Sequence, residues 1–238
     1  MPFLESLRDL TFTSLALRLL LAMLFGGSIG LERERRGRPA GLRTYMLVCI
    51  GASLTIMLSQ YDTKMLETLW SGAGLLTTDM SRFGAQVING VGFLGAGTIL
   101  VTGQQEVKGL TTAACLWASA CMGLAIGAGF YECVIPGFLL MFLSVRVFPG
   151  LESRIISRSR NMSIYAETDS MEELSALIQT VRSKGYRVVD VDLDCNNDTD
   201  GLARPKAIIA MRLPRRQPHA DVMMSLSTQA RFRTLDEL

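Results

Sequence analysis

The sequence predicts two domains: an α-helical membrane bundle of five transmembrane helices, then a small α+β domain with the order βαββαβ. Three observations carry this prediction. Hydrophobic residues make up 49% of the 238-residue chain and charged residues 19%, an apolar balance unusual for a soluble protein. The charge is unevenly spread, with 20 charged side chains in residues 1–149 and 26 in the shorter remainder. Five segments of the first part have the composition of membrane spans, each close to the about 20 mostly apolar residues that a bilayer requires.

The first span is expected near Thr13–Leu31, the second near Thr44–Gln60 and the third near Phe83–Val101. The fourth follows near Thr111–Gly129 and the fifth near Tyr131–Phe148. Residues 83–105 and 109–131 hold no Asp, Glu, Lys or Arg, whereas a soluble helix of that length would carry a charged face. The first loop, Glu32–Arg43, carries five arginines against two glutamates. The second, Tyr61–Arg82, holds Lys64 and Arg82 among three acids, and Arg154, Arg158 and Arg160 follow the last span. By the positive-inside rule the N-terminus lies outside, and the arginine loop and C-terminal domain lie in the cytoplasm. FLESLRDL, ahead of the first span, reads as a short amphipathic helix on the outer surface. Nothing in it resembles a cleavable leader, so the first span is expected to be retained.

Within the third span NGVGFLGAG contains G-x-G-x-x-G, the glycine pattern of a dinucleotide turn. Such a turn needs a preceding strand and an acid about 20 residues on. Here the next acids are Glu106 and Glu132, and the motif stands in a charge-free apolar run. The glycines are therefore expected to serve helix packing. Gly90 and Gly97 fall on one side of the third span, Gly84, Gly92 and Gly95 on the other, which predicts a helix crowded from both sides at the bundle centre. Gly26 with Gly30, and Gly123 with Gly127, repeat the device at G-x-x-x-G spacing.

The same span carries a polar stripe, Asp79, Arg82, Gln86 and Asn89, at spacings of three, four and three. These fall within about a quarter of a helical circumference and lead inward from the outer end. Polar groups at membrane depth face protein or water, so the stripe is either a set of interhelical fastenings or a functional site. Arg18, inside the first span, is expected to contact Asp79 or Glu132.

Other chemistries find little support. The five cysteines form no C-x-x-C pair and there is one histidine, His219, so no zinc site, disulfide framework or catalytic triad is indicated. No cofactor is expected, and no metal ligand set can be named. A net charge of +2 does not suggest nucleic-acid binding.

GLERERRGRPAGLRTYMLVCIGA (Gly30–Ala52), RFGAQVINGVGFLGAGTIL (Arg82–Leu100) and VKGLTTAACLWASA (Val107–Ala120) together resemble the MgtC/SapB family of bacterial inner-membrane proteins. The resemblance covers residues 13–149. It implies a compact five-span domain in a family associated with growth in low magnesium and survival inside macrophages. Its members are often described as magnesium-transport proteins, and inhibition of the membrane ATP synthase has been proposed for the virulence-associated ones. Carried over by motif, Glu32, Arg43 and Thr44 stand at the cytoplasmic end with Thr111 and Thr112, ahead of Trp117. On physical grounds Thr111 and Thr112 suit a helix cap and Trp117 a packing anchor.

After a basic linker, residues 150–160, the pattern becomes soluble. Met162–Thr168 alternates as a strand, and Ser170–Gly185 reads as an amphipathic helix with Ser170 as cap and Gly185 as stop. Tyr186–Asp194 and Lys206–Leu213 read as strands, His219–Ala230 as a helix and RFRTLDEL as a last strand. This order implies a ferredoxin-like sandwich over residues 161–238, and it resembles the ACT-like domain attached to some MgtC-type members. Asn196–Gly201 starts like a calcium loop, but its twelfth position is Ala207 and strands flank it, so it reads as a polar hairpin loop.

The leading functional reading is a modulator, embedded in the lipid bilayer, of a membrane protein such as the ATP synthase or another transporter. A homodimer through the ACT-like domain is a further candidate contact. The rival reading is a transporter of Mg²⁺ or another small polar solute through the bundle. An enzyme is not expected, because no nucleophile–base set is present.

Overall fold

A computed structural model describes residues 7–69, 79, 81–101, 107–157, 159–194, 205–227 and 232–237. Residues 3–6 of FLESLRDL, Cys195 and the loop Asn196–Gly201 lie outside the described residues, and residues 7–10 form a turn instead of the expected helix. The chain divides into two compact units, Met1–Pro149 and Gly150–Leu238.

In the first unit α1 spans Phe12–Arg35, opening on Thr11, whose hydroxyl accepts the Ser14 amide at 3.3 Å. After a turn, α2 runs Leu42–Leu69, and its first amide donates to the Glu34 carboxylate at 2.8 Å. A carboxylate there satisfies an otherwise unpaired donor and suits the positive end of the helix dipole. The short helix α3, Ser81–Ala96, leads into a two-stranded ladder of β1, Leu100–Val101, and β2, Val107–Lys108. Next come α4, Leu110–Gly127, α5, Tyr131–Arg146, and α6, Phe148–Ile156. Gly109, just before α4, has φ +98°, and a Cβ there would lie 1.9 Å from the Thr98 carbonyl oxygen. Only glycine fits that corner.

Among the described residues four stretches are long and apolar enough to cross a membrane: Phe12–Arg35, Leu42–Leu69, Leu110–Gly127 and Tyr131–Ile156. The expected third span is shorter than its apolar run. Its helix has 16 residues, about 24 Å at ~1.5 Å per residue. Its last expected residues, Leu100 and Val101, instead pair as strand. The segment read as a basic linker is helical as far as Ile156.

The waist of the bundle is closed by glycines, though not those of NGVGFLGAG. A Cβ on Gly26 would meet the Tyr45 carbonyl oxygen at 2.7 Å, and one on Gly30 the Leu42 Cα at 2.8 Å. Thus α1 lies directly on the backbone of α2. On the other side of α2, a Cβ on Gly123 would stand 2.3 Å from the Cys49 oxygen, and one on Gly127 2.4 Å from the Ser53 oxygen. The buried waist adds Ala22, Ile29, Cys49, Ala52, Leu116, Ala120 and Ile126, and Phe25 of α1 stacks on Phe138 of α5 at 4.5 Å.

The expectation for the third span is therefore corrected. Gly90 and Gly92 have open space around them, and Gly97 meets only carbonyls of its own preceding turn. Gly95 alone of the four in NGVGFLGAG touches a neighbour, with its Cβ position 3.3 Å from the Ala113 Cβ. Phe93 is 83% exposed. Helix α3 is a flank of the bundle rather than its centre, because it packs along one face, through Gly84, Val91 and Gly95.

In the second unit β3 (Asn161–Glu167), α7 (Met171–Ser183), β4 (Arg187–Asp194), β5 (Lys206–Arg212), α8 (His219–Ser227) and β6 (Thr234–Glu237) follow in order. The sheet order is β4-β5-β3-β6, with every pairing antiparallel. Alternation in β3 and β5 sends Met162, Ile164, Ala166, Ala207, Ile209 and Met211 to one face. There they pack on Leu174, Leu177 and Val181 of α7 and on Val222 and Leu226 of α8. Ser170 caps α7 by accepting the Glu173 amide at 3.2 Å, and Gly185 follows the helix at φ +77°.

Candidate functional site

Polar chemistry gathers at the two ends of the bundle. At the Arg18 end a cleft of 670 Å³ opens between α2 and α3. Three residues of the predicted stripe line it: Asp79, Arg82 and Gln86. Asn89 is exposed and lies outside it. The facing wall comes from α2, where Thr55, Ser59, Asp62 and Thr63 share one helical face at spacings of four, three and one. Sequence reasoning missed this wall. Hydroxyls scattered through an apolar helix look like packing residues, and only the pairing of α2 with α3 brings the two stripes together. Asp79 precedes α3 and accepts from the Ser81 hydroxyl and, at 3.0 Å, from the Ser81 amide. Those bonds, with nearby Arg82, hold its carboxyl below the usual carboxylate range. The cleft thus sets two carboxylates, a guanidinium, an amide and three hydroxyls beside the apolar side chains of Leu66, Phe83 and Val87. Among the described residues no three His, Cys, Asp or Glu side chains are placed to hold a metal ion.

Arg18 is fully buried and contacts neither Asp79 nor Glu132. Its Nη1 donates to Gln60 Oε1 at 2.9 Å and to the Gly127 carbonyl at 2.7 Å, and its Nη2 to the carbonyls of Leu7 at 3.1 Å and Arg8 at 2.7 Å. Nε reaches the Tyr131 hydroxyl at 3.4 Å. The expected contact fails because the negative end of α4, with its unpaired carbonyls, lies closer than either carboxylate and suits a guanidinium as well. Glu132 pairs with Arg8 instead.

At the other end Glu32 is buried and bound by Arg36 Nε at 2.8 Å and by Arg146 Nη1, tying α1 to the end of α5. Its neighbour Arg33 is also buried, and donates from Nη2 to the Thr112 hydroxyl at 2.8 Å. The Tyr45 hydroxyl donates to the Thr112 carbonyl at 3.3 Å. Thr112 therefore accepts an arginine rather than capping α4, whose N-terminus has no side-chain cap. Thr111 is exposed. Arg43 and Thr44 are exposed and line a 530 Å³ hollow with Glu34 and Arg38. Trp117 is 48% exposed, so it projects from the bundle instead of anchoring it. Sequence reasoning missed Arg33, Arg36, Tyr45 and Arg146 here. Only the i, i+4 pair of Glu32 and Arg36 carried a signal.

The match to known proteins is extensive. The MgtC family profile matches residues 19–154. Putative magnesium transporter YhiD of Escherichia coli K12 is 43% identical over 193 residues, covering 77% of this chain and 87% of that protein. Protein MgtC of Brucella abortus is 32% identical over 205 residues, 82% of this chain and 79% of its own. Protein SapB of Bacillus subtilis is 29% identical over 187 residues, 77% and 79% of the two chains. No solved structure matches the chain. With the family profile covering more than half its length, the chain belongs to the MgtC family.

Proposed function

We propose that the protein is a multi-pass component of the bacterial inner membrane that modulates a membrane partner, the ATP synthase being the candidate that the family resemblance suggests. The observation that carries this reading is the closed waist. Gly26, Gly123 and Gly127 press helix backbones together, and among the described residues of the first unit the buried charges sit at the ends, Arg18 at one and Glu32 and Arg33 at the other. A bundle so closed suits recognition better than passage. In this reading α3 is a fifth, short membrane helix. The arginine loop and the second unit face the cytoplasm, where that unit serves as an ACT-like regulatory and dimerising domain. The test is twofold. Purification in native lipids should retain a stoichiometric membrane partner, and the protein alone in liposomes should pass no Mg²⁺. Flux above protein-free liposomes with no retained partner would refute the proposal.

A second reading is favoured by the cleft between α2 and α3. Its 670 Å³ and paired carboxylates, Asp62 and Asp79, suit the entry site of a transporter, the activity in the name of the YhiD relative. Liposome flux lost in Asp62→Asn would select it.

A further inference from the structure

A pocket of 440 Å³ lies within the second unit, between the chain that enters β3 and the chain that leaves β5. Four arginines line it: Arg154 from α6, Arg160 just before β3, Arg212 at the end of β5 and Arg216 in the loop beyond. Among the described residues no carboxylate lines it. Among the described residues none of the four enters an ion pair.

The fold holds these cations together against their repulsion. Asn161 and Arg212 are opposite each other in the β3–β5 ladder. Leu213 donates its amide to the Arg160 carbonyl at 2.7 Å and accepts Arg160 Nε at 3.1 Å. The Arg160 side chain is thereby fixed with its terminal nitrogens still available. The wall behind is fastened by His219, which bonds the Ser159 carbonyl through Nε2 at 3.0 Å.

Four arginines around one hollow, with no carboxylate among its described lining residues, create a site for an anion that accepts several charge-assisted hydrogen bonds at once. Phosphate has the oxygens to do so, and the volume falls in the small-ligand range of about 300–1,000 Å³. We infer that this pocket binds a phosphate-bearing anion.

Two sources share that chemistry. One is the headgroup of an anionic phospholipid. Arg154 lies within the apolar stretch Tyr131–Ile156, and Ile155, at 64% exposure, gives the pocket an apolar rim. The other is a soluble phosphorylated solute.

The test uses the full chain in detergent micelles, titrated separately with phosphatidylglycerol, phosphatidylcholine and inorganic phosphate, and read by native mass spectrometry and thermal shift. The double variant Arg212→Gln/Arg216→Gln is compared with Arg215→Gln, an exposed neighbour outside the pocket. Each substituted arginine is exposed, so the unliganded melting temperature should not change. Binding of at least one phosphate probe should weaken by about tenfold or more in the double variant, as expected when two charge-assisted contacts are lost, and should be unchanged in Arg215→Gln. Response to phosphatidylglycerol alone assigns the lipid headgroup, and response to inorganic phosphate assigns a soluble anion. Equal loss in Arg215→Gln and the double variant, phosphatidylcholine binding as well as phosphatidylglycerol, or no binding of either phosphate probe overturns the inference.

Discussion

Replacing Arg18 by methionine tests the physical account of the bundle most directly. Methionine matches the length of the arginine stem and packs well in apolar surroundings, so the change removes donors rather than volume. Five acceptors lose a partner: Gln60, the carbonyls of Gly127, Leu7 and Arg8, and the Tyr131 hydroxyl. They do not lose it equally. Gln60 is half-buried, so its Oε1 can turn to water, and Arg8 is exposed, so its carbonyl can do the same. The Gly127 carbonyl is buried at the end of α4 and has nowhere to turn. A bare buried acceptor costs about 1–3 kcal/mol. One or two such groups give roughly 1–6 kcal/mol, and relief of the desolvated charge offsets part of it. The expected net loss is about 1–3 kcal/mol. It should be measured by equilibrium unfolding in mixed micelles, with amide exchange followed at residues 7–11 and 127–131. Arg18→Lys, which keeps the charge but not the planar fork, should fall between. If Arg18→Met unfolds within about 0.5 kcal/mol of the parent and exchange at both segments is unchanged, the reasoning fails.

Three further outcomes are expected. Gly123→Ala should lower stability in the same assay by about 1–3 kcal/mol through overpacking, since its Cβ would strike the Cys49 carbonyl, whereas Gly90→Ala, with open space around it, should cost nothing and gain a few tenths through helix propensity. Thr112→Val should cost about 1–3 kcal/mol by stripping the acceptor from the buried Arg33 guanidinium, and Thr112→Ser should recover most of it. His219→Ala should leave the membrane helices unaffected but raise amide exchange at residues 157–161 and 234–237, because the ring joins Glu237 to the Ser159 carbonyl.

These contrasts also show what the sequence could reveal. Charge-free runs located the helices of the first unit, since membrane length is a property of one segment alone. Alternation in Met162–Thr168 and the Ser170 and Gly185 signals located β3 and α7, because caps and period are local. Which glycines meet a neighbour was not legible. Gly90 and Gly123 look alike along the chain, and only the rotation of each helix against its partners separates them. The same holds for the cleft. Its α3 wall was visible as a stripe of strongly polar residues, whereas its α2 wall needed Asp62 to be seen with the hydroxyls of Thr55, Ser59 and Thr63. The sequence marks Arg18 as a charge inside an apolar run but points to the wrong partners, because a backbone carbonyl leaves no mark in a sequence.

The Arg18 anchorage has a consequence for biogenesis. Gly127 follows Arg18 by 109 residues, which at about 5–20 residues per second is roughly 5 to 20 seconds of synthesis. Throughout that interval Arg18 can reach the carbonyls of Leu7 and Arg8 and, later, Gln60, but its buried acceptor at the end of α4 has not yet been made. The nascent helix must keep Arg18 at the headgroups or in the translocon, and can settle only once α4 has arrived and its end is free to receive the guanidinium. Completion of the bundle is thereby coupled to translation past its midpoint, and a chain arrested before Gly127 would be marked as unfinished by an arginine lacking its buried acceptor at the end of α4.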